Sequence, residues 1–124
     1  MTELAIDVEE LTKEFNGSIA VDHISLKVKQ GAIFGFLGAN GSGKTTTIRM
    51  ICGLLTPTEG KGTCLNYNIL SQRDEIKKNI GYMPQKFSFY KGLTVYENLR
   101  FIAKIYQVKN SETAIEEVIS ALQL

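Results

Sequence analysis

The chain has 124 residues, 44% of them hydrophobic and 22% charged, with 14 basic against 13 acidic side chains. That composition fits one globular domain, or part of one, and excludes a disordered chain. No apolar run approaches the ~20 residues of a membrane span, and Met1–Asp7 has neither the basic nor the apolar region of a secretory signal.

Charge is unevenly placed. Residues 61–109 carry nine basic and three acidic side chains, whereas residues 1–60 and 110–124 are net acidic. The lysines are too sparse for a nucleic-acid arm and lack interleaved aromatics, so a solvated helical face is the expected reading and no nucleic-acid partner is expected. Cys52 and Cys64 are the only cysteines and His23 the only histidine. A zinc site is not expected from such a set; two reduced, buried thiols are.

In chain order, Ile6, Val8 and Leu11 open a strand-like stretch, and Asn16-Gly17 is a hairpin turn signal because both residues tolerate positive φ. Ile24, Leu26 and Val28 then alternate with polar residues, as in a strand with one wet face. Residues 1–30 therefore read as an antiparallel β layer. Ala32–Leu37 is apolar on both faces, which predicts a strand buried in a parallel sheet. A helix is predicted from about Lys44, packed through Ile48, Ile51 and Cys52, with Gly53 after its end and Pro57 preventing continuation. Thr63–Leu65 is a weak strand, residues 71–79 a short charged helix, and Ile80–Met83 a short strand ended by Pro84. Thr94 and Glu97 have the spacing of a capping box, followed by a stripe of Leu99, Ile102, Ala103 and Tyr106. Ser111 is placed to cap a last helix carrying Ile115, Val118, Ile119 and Leu122 on one face.

One motif carries chemistry. Gly38-Ala39-Asn40-Gly41-Ser42-Gly43-Lys44-Thr45 fits the spacing G-x-x-x-x-G-K-[ST]. Backbone N–H groups can curl around a phosphate chain only where side chains do not obstruct, hence Gly38, Gly41 and Gly43. The helix that follows aims its unsatisfied N–H groups, Thr46 included, at the same anion. Lys44 adds a point charge for the outer phosphates, and the Thr45 hydroxyl can ligate Mg²⁺.

The residues around this loop narrow its meaning. Ala20–Leu26, Gly31–Thr46, Gly53–Gly60, Ile80–Gln85 and Leu93–Leu99 occur in an order and wording that resemble the ATP-binding subunit of an ABC transporter, specifically the drug-exporter-like branch. The resemblance covers nearly the whole chain. It implies an α/β fold: a P-loop NTPase core with an N-terminal antiparallel β layer, present for about half of an ABC ATPase domain. The β layer would occupy about 1–30, the P-loop core and Q-loop about 31–92, and the start of a helical region about 93–124. It implies ATP and Mg²⁺ as ligands, Phe15 stacked on adenine, Gly38–Thr46 on the phosphates, and Thr45 with Gln85 at the metal. It further implies a transmembrane permease subunit as partner, a second nucleotide-binding domain with ATP at the interface, and a cytoplasmic position at the inner face of the cell membrane.

Each assignment has a plainer reading. Phe15 could be a core residue at a strand end, and Gln85 an ordinary polar residue after Pro84. The aromatics of Lys86–Gly92 could face a membrane subunit or pack inward. Two residues depart from the family pattern: Gly62 is expected to weaken its strand, and Asn66 is a mild replacement because Asn tolerates left-handed φ. The family's signature motif, Walker B aspartate, catalytic glutamate and switch histidine match nothing here, so no catalytic residue is assigned. On that expectation the chain is a nucleotide-binding fragment without turnover, and Ile33–Leu37 has unpaired edges and uncovered apolar surface. Another phosphate-loop kinase or GTPase is disfavoured, since no Asn-Lys-x-Asp guanine motif follows the loop.

Overall fold

The computed structural model describes residues 3–38, 42–84 and 89–124. It divides into two compact units, Met1–Tyr82 and Met83–Leu124.

In the first unit, β1 (Leu4–Phe15) and β2 (Ser18–Lys29) form a long antiparallel hairpin, with Leu4 opposite Lys29 and Phe15 opposite Ser18. Its turn is the expected one: Asn16 and Gly17 take φ of 49° and 83°, the two positive values that match the twist of the flanking strands. Val8 and Leu11 are both fully buried although three residues apart. In a regular strand they would face opposite sides. An extra residue in β1 between Val8 and Leu11, with Glu10 at φ 54°, turns both inward. A matching irregularity in β2, with His23 at φ 50°, restores the register. The displaced His23 N–H donates to Thr12 Oγ1 at 3.0 Å. The His23 ring lies 2.6 Å from Asp22 and 3.2 Å from Glu59.

The sheet continues on the other side of β1. Strand β3 (Glu59–Cys64) pairs antiparallel with β1, and β4 (Tyr67–Asn68) pairs with β3, giving the order β2-β1-β3-β4. The Leu65-Asn66 turn has φ of 53° and 67°, so Asn66 uses the left-handed tolerance expected of it. Gly62 proves to be required. It sits opposite Val8, where a Cβ would lie 2.6 Å from the Val8 Cα. Glycine here allows close approach rather than weakening the strand. Strand β3 also begins earlier than the predicted Thr63.

Helix α1 (Lys44–Ile51) packs on this sheet. Its buried residues are Thr47, Met50 and Ile51; Ile48 is exposed, contrary to expectation. Residues 47, 50 and 51 follow the i, i+3, i+4 pattern of one helix face, and Ile48 falls outside it. Gly53 (φ 76°) ends the helix as expected. Its N–H donates to Met50 O at 3.3 Å and that of Leu54 to Arg49 O at 2.9 Å, the paired bonds of a Schellman motif. Arg73, at the start of α2 (Arg73–Lys78), donates to Gly53 O at 3.0 Å and Thr56 Oγ1 at 2.8 Å. Val8, Leu11, Val21, Met50, Ile51, Cys64, Ile69 and Ile76 form the core.

Two predicted strands are absent from the structure. Ala32–Leu37 joins no ladder, and Ile33 and Leu37 are fully exposed, at 103% and 96%. Ile80–Met83 is likewise irregular. Both are apolar runs with no ladder partner among the described residues, and a strand exists only through its pairing.

The second unit holds α3 (Val95–Ile105) and α4 (Ser111–Leu122), which pack together. The capping box of α3 is complete: Thr94 Oγ1 accepts from Glu97 N at 3.1 Å, and Glu97 Oε1 accepts from Thr94 N at 3.0 Å. The expected stripe is only partly right. Ala103 is buried with Asn98, while Tyr106 is exposed. Ser111 does not cap α4; it is the first helical residue, after Asn110 in the left-handed conformation. On α4, Ile115 is buried, but Val118 and Leu122 are exposed.

Candidate nucleotide-phosphate site

The site is built on the start of α1. Gly43 precedes the helix with φ 93° and ψ 5°, and no side chain caps this end. The first intrahelical bond at this end is Thr47 N–H to Gly43 O at 2.9 Å. The N–H groups of Lys44, Thr45 and Thr46 therefore precede the helical ladder, and no acidic side chain stands in the first turn. Such an end carries partial positive charge and suits an anion.

Two contacts involve the described residues at the loop's two ends. A Cβ on Gly43 would lie 2.6 Å from Ala20 O and 3.2 Å from Val21 Cγ2, so only glycine lets the loop lie against β2 here. At the other side of the loop, Lys44 Nζ donates to Gly38 O. The ammonium thus reaches back across the loop from the first residue of the helix. Ser42 and Thr45 are exposed, and Thr46 is half-buried. Ala39, Asn40 and Gly41 lie outside the described residues, as does Gln85.

Phe15 ends β1 with 46% exposure and Lys13 Nζ 5.2 Å above its ring centre. It is not a core residue. The hairpin puts it on the Gly43 side of the sheet: Val21, which abuts Gly43 together with Ala20, pairs with Lys13, two residues before Phe15 on β1. The Lys13 ammonium covers one face of this half-exposed ring, and a flat apolar ring of this kind can stack on a base through its other face.

The described residues contain no group of three or more His, Cys, Asp or Glu able to hold a metal alone. Thr45 is exposed, and its hydroxyl is a hard oxygen donor. It fits Mg²⁺ only as one ligand among phosphate oxygens and waters, the usual manner of Mg²⁺ with nucleotides. The cysteines are not ligands of this kind. Both are free; burial raises the Cys52 thiol, and burial with the neighbouring Cys52 pushes Cys64 up to about 11.

Two residues that matter to this architecture went unassigned in the sequence. Arg73 holds the C-terminal end of α1, and its signal, an isolated arginine in a charged helix, is ordinary. Asn98 is buried at 9% exposure and bonds four backbone groups. A polar residue beside Leu99 in an amphipathic helix gives no warning of that.

Residues 21–124 match the profile of the ABC transporter family. The chain belongs to that family. It corresponds to the N-terminal part of the ABC ATP-binding domain, as the resemblance implied. The probable multidrug ABC transporter ATP-binding protein YbhF of Escherichia coli is 46% identical over 86% of this chain and 18% of its own length. The bacitracin transport ATP-binding protein BcrA of Bacillus licheniformis is 43% identical over 96% of this chain and 39% of its own. A solved ATP-binding subunit of an ABC transporter superposes with a TM-score of 0.76 at 27% identity, over 87% of this chain and 45% of that one. A second, an ABC ATP-binding cassette in its ADP conformation, gives 0.66 at 32% identity, over 84% of this chain and 41% of that one. The chain thus spans less than half the length of each of these relatives. The mixed α/β architecture with its N-terminal antiparallel sheet is the ABC ATPase fold over the part that is present.

Proposed function

We propose that this chain supplies the phosphate-gripping part of a Mg-ATP site in an ABC transport ATPase. The observation that carries the reading is the start of α1: an uncapped N-terminus, Gly43 seated on β2, and Lys44 reaching across the loop to Gly38. Gly38–Thr46 would bind the phosphates, and Phe15 would stack on adenine. Thr45 would ligate Mg²⁺, which offsets charge on the outer phosphates. Gln85 is proposed for the same ion on the family resemblance alone.

The proposed organisation keeps a β layer at about 1–30, the P-loop and Q-loop region at about 31–92 and a helical region from about 93. The likeness to the multidrug protein YbhF and the bacitracin transport protein BcrA supports the drug-exporter-like branch, with coupling of ATP hydrolysis to export as the whole protein's task. Partners would be a transmembrane permease and a second nucleotide-binding domain, at the inner face of the membrane. No helix among the described residues is long and apolar enough to cross a membrane. No residue of this chain is assigned to bond cleavage, and the 124-residue polypeptide alone is expected to bind nucleotide without appreciable turnover.

Calorimetry with Mg-ATP tests the reading. Lys44→Ala removes one charge-assisted contact, and affinity is expected to fall about 10–100-fold. Equal affinity for the two proteins would remove the basis for assigning the loop. Displacement by GTP as readily as by ATP would favour a different phosphate-loop protein.

A further inference from the structure

Three successive residues tie the end of β1 to the loop that follows α1. Thr12 O accepts from Thr58 N–H at 2.8 Å, Lys13 Nζ donates to Thr56 O at 2.8 Å, and Glu14 N–H donates to Thr58 Oγ1 at 3.0 Å. Thr56 is itself held, since its hydroxyl accepts from the Arg73 guanidinium at 2.8 Å. The Lys13 ammonium, at the tip of a flexible stem, therefore has a fixed place. That place is 5.2 Å from the centre of the Phe15 ring, within the range of a cation–π contact. Lys13 and Phe15 are two residues apart on one strand, so their side chains leave the same face of it. Lys13 is half-buried, whereas Phe15 is exposed. The charged side chain is thus the more enclosed of the two, the reverse of the usual ranking. A strand end built only to bury apolar surface would not be arranged in this way.

We infer that Lys13 is a positioning residue for a nucleotide base: it occupies one face of the Phe15 ring, holds the ring in place and leaves a single face on which a purine can stack. This rests on the proposed adenine contact of Phe15 and deepens it by a third partner. The face of an aromatic ring is electron-rich, and so is that of a purine. An ammonium behind the ring draws density away from the open face and lessens their repulsion. A ring already held in place also loses less side-chain freedom when the base arrives.

Calorimetry with two ligands, Mg-ATP and Mg-tripolyphosphate, isolates the base. Both carry a triphosphate chain, so the ratio of their affinities reports what the base and its ribose add. Lys13→Met keeps an unbranched stem and removes the charge; the ratio is expected to fall about two- to fivefold. Lys13→Arg returns a cation to the ring face and should restore it. In a Phe15→Leu chain the ratio should already be low, and adding Lys13→Met should lower it no further. Binding of tripolyphosphate by each variant shows that its fold is intact.

Equal losses for both ligands in Lys13→Met would overturn the inference, because Lys13 would then act as a general charge or as a fold element. An effect of Lys13→Met that persists without the Phe15 ring would overturn it too. A ratio lowered by Phe15→Leu but not by Lys13→Met would remove Lys13 and leave the adenine reading in place. A ratio that neither substitution lowers would overturn the adenine reading itself.

Discussion

Strand β1 and the segment Ala32–Leu37 are both apolar enough to read as strands, yet they meet opposite fates. Strand β1 is paired on both sides, by β2 and β3, and its Val8 and Leu11 are fully buried. Ala32–Leu37 has no ladder partner among the described residues, and its Ile33 and Leu37 lie open to solvent. The difference is not hydrophobicity. A strand's backbone groups need a neighbour, and its side chains need a facing layer; local sequence supplies neither. Contiguous exposed apolar residues of this kind mark a surface built for covering. The segment runs straight into Gly38, so the upstream support of the phosphate loop is the part the described structure leaves open. The downstream support, α1 on the sheet, is complete.

Paired substitutions sharpen this contrast, and the largest effect belongs to the core. Leu11→Ala is expected to cost ~2–5 kcal/mol, while Leu37→Ala should change stability by less than ~0.5 kcal/mol. Urea denaturation of the two variants checks it. A comparable loss from both would mean that Leu37 is packed in solution.

Next in size is Gly62→Ala. The added methyl must push β3 away from Val8, at an expected cost of ~1–3 kcal/mol by the same assay. A neutral result would show that β1 and β3 do not approach as closely as described.

Smaller again is Thr94→Ala, which removes the cap of α3 and should cost ~1 kcal/mol. It also alters a pH dependence. The Glu97 carboxyl is held below its usual range, first by the Thr94 N–H and then by the Thr94 hydroxyl. Because the folded value is the lower one, Glu97 stabilises α3 above its ordinary titration range near pH 4–4.5. That contribution disappears as pH falls through the folded value. Helicity followed by circular dichroism should drop in that acidic window, and less steeply in Thr94→Ala.

What was legible in the sequence was whatever a few neighbouring residues decide. Asn16-Gly17 set the hairpin through backbone freedom, Thr94 and Glu97 capped α3 through their spacing, and Gly53 closed α1. The proposed phosphate loop is written in equally local terms, with Lys44 reaching back only as far as Gly38 O. What was not legible depended on distant partners. Ala32–Leu37 and Ile80–Met83 lacked them. Gly62 looked like a weak point until β1 was seen against it. Ile48 faced outward because the sheet selects the other side of α1. Asn98 looked like a polar residue on a helix until the Tyr90 backbone was found in its grip. Ser111 lost its capping role to a chain that enters α4 through a left-handed Asn110.

The claim that the α1 N-terminus is a phosphate site is tested most directly by following backbone amide resonances during titration with Mg-ATP. The largest shifts are expected at Gly43, Lys44, Thr45 and Thr46, with the Phe15 ring signals moving at the same nucleotide concentration. Saturating Mg-ATP that leaves those four amides unmoved would contradict it.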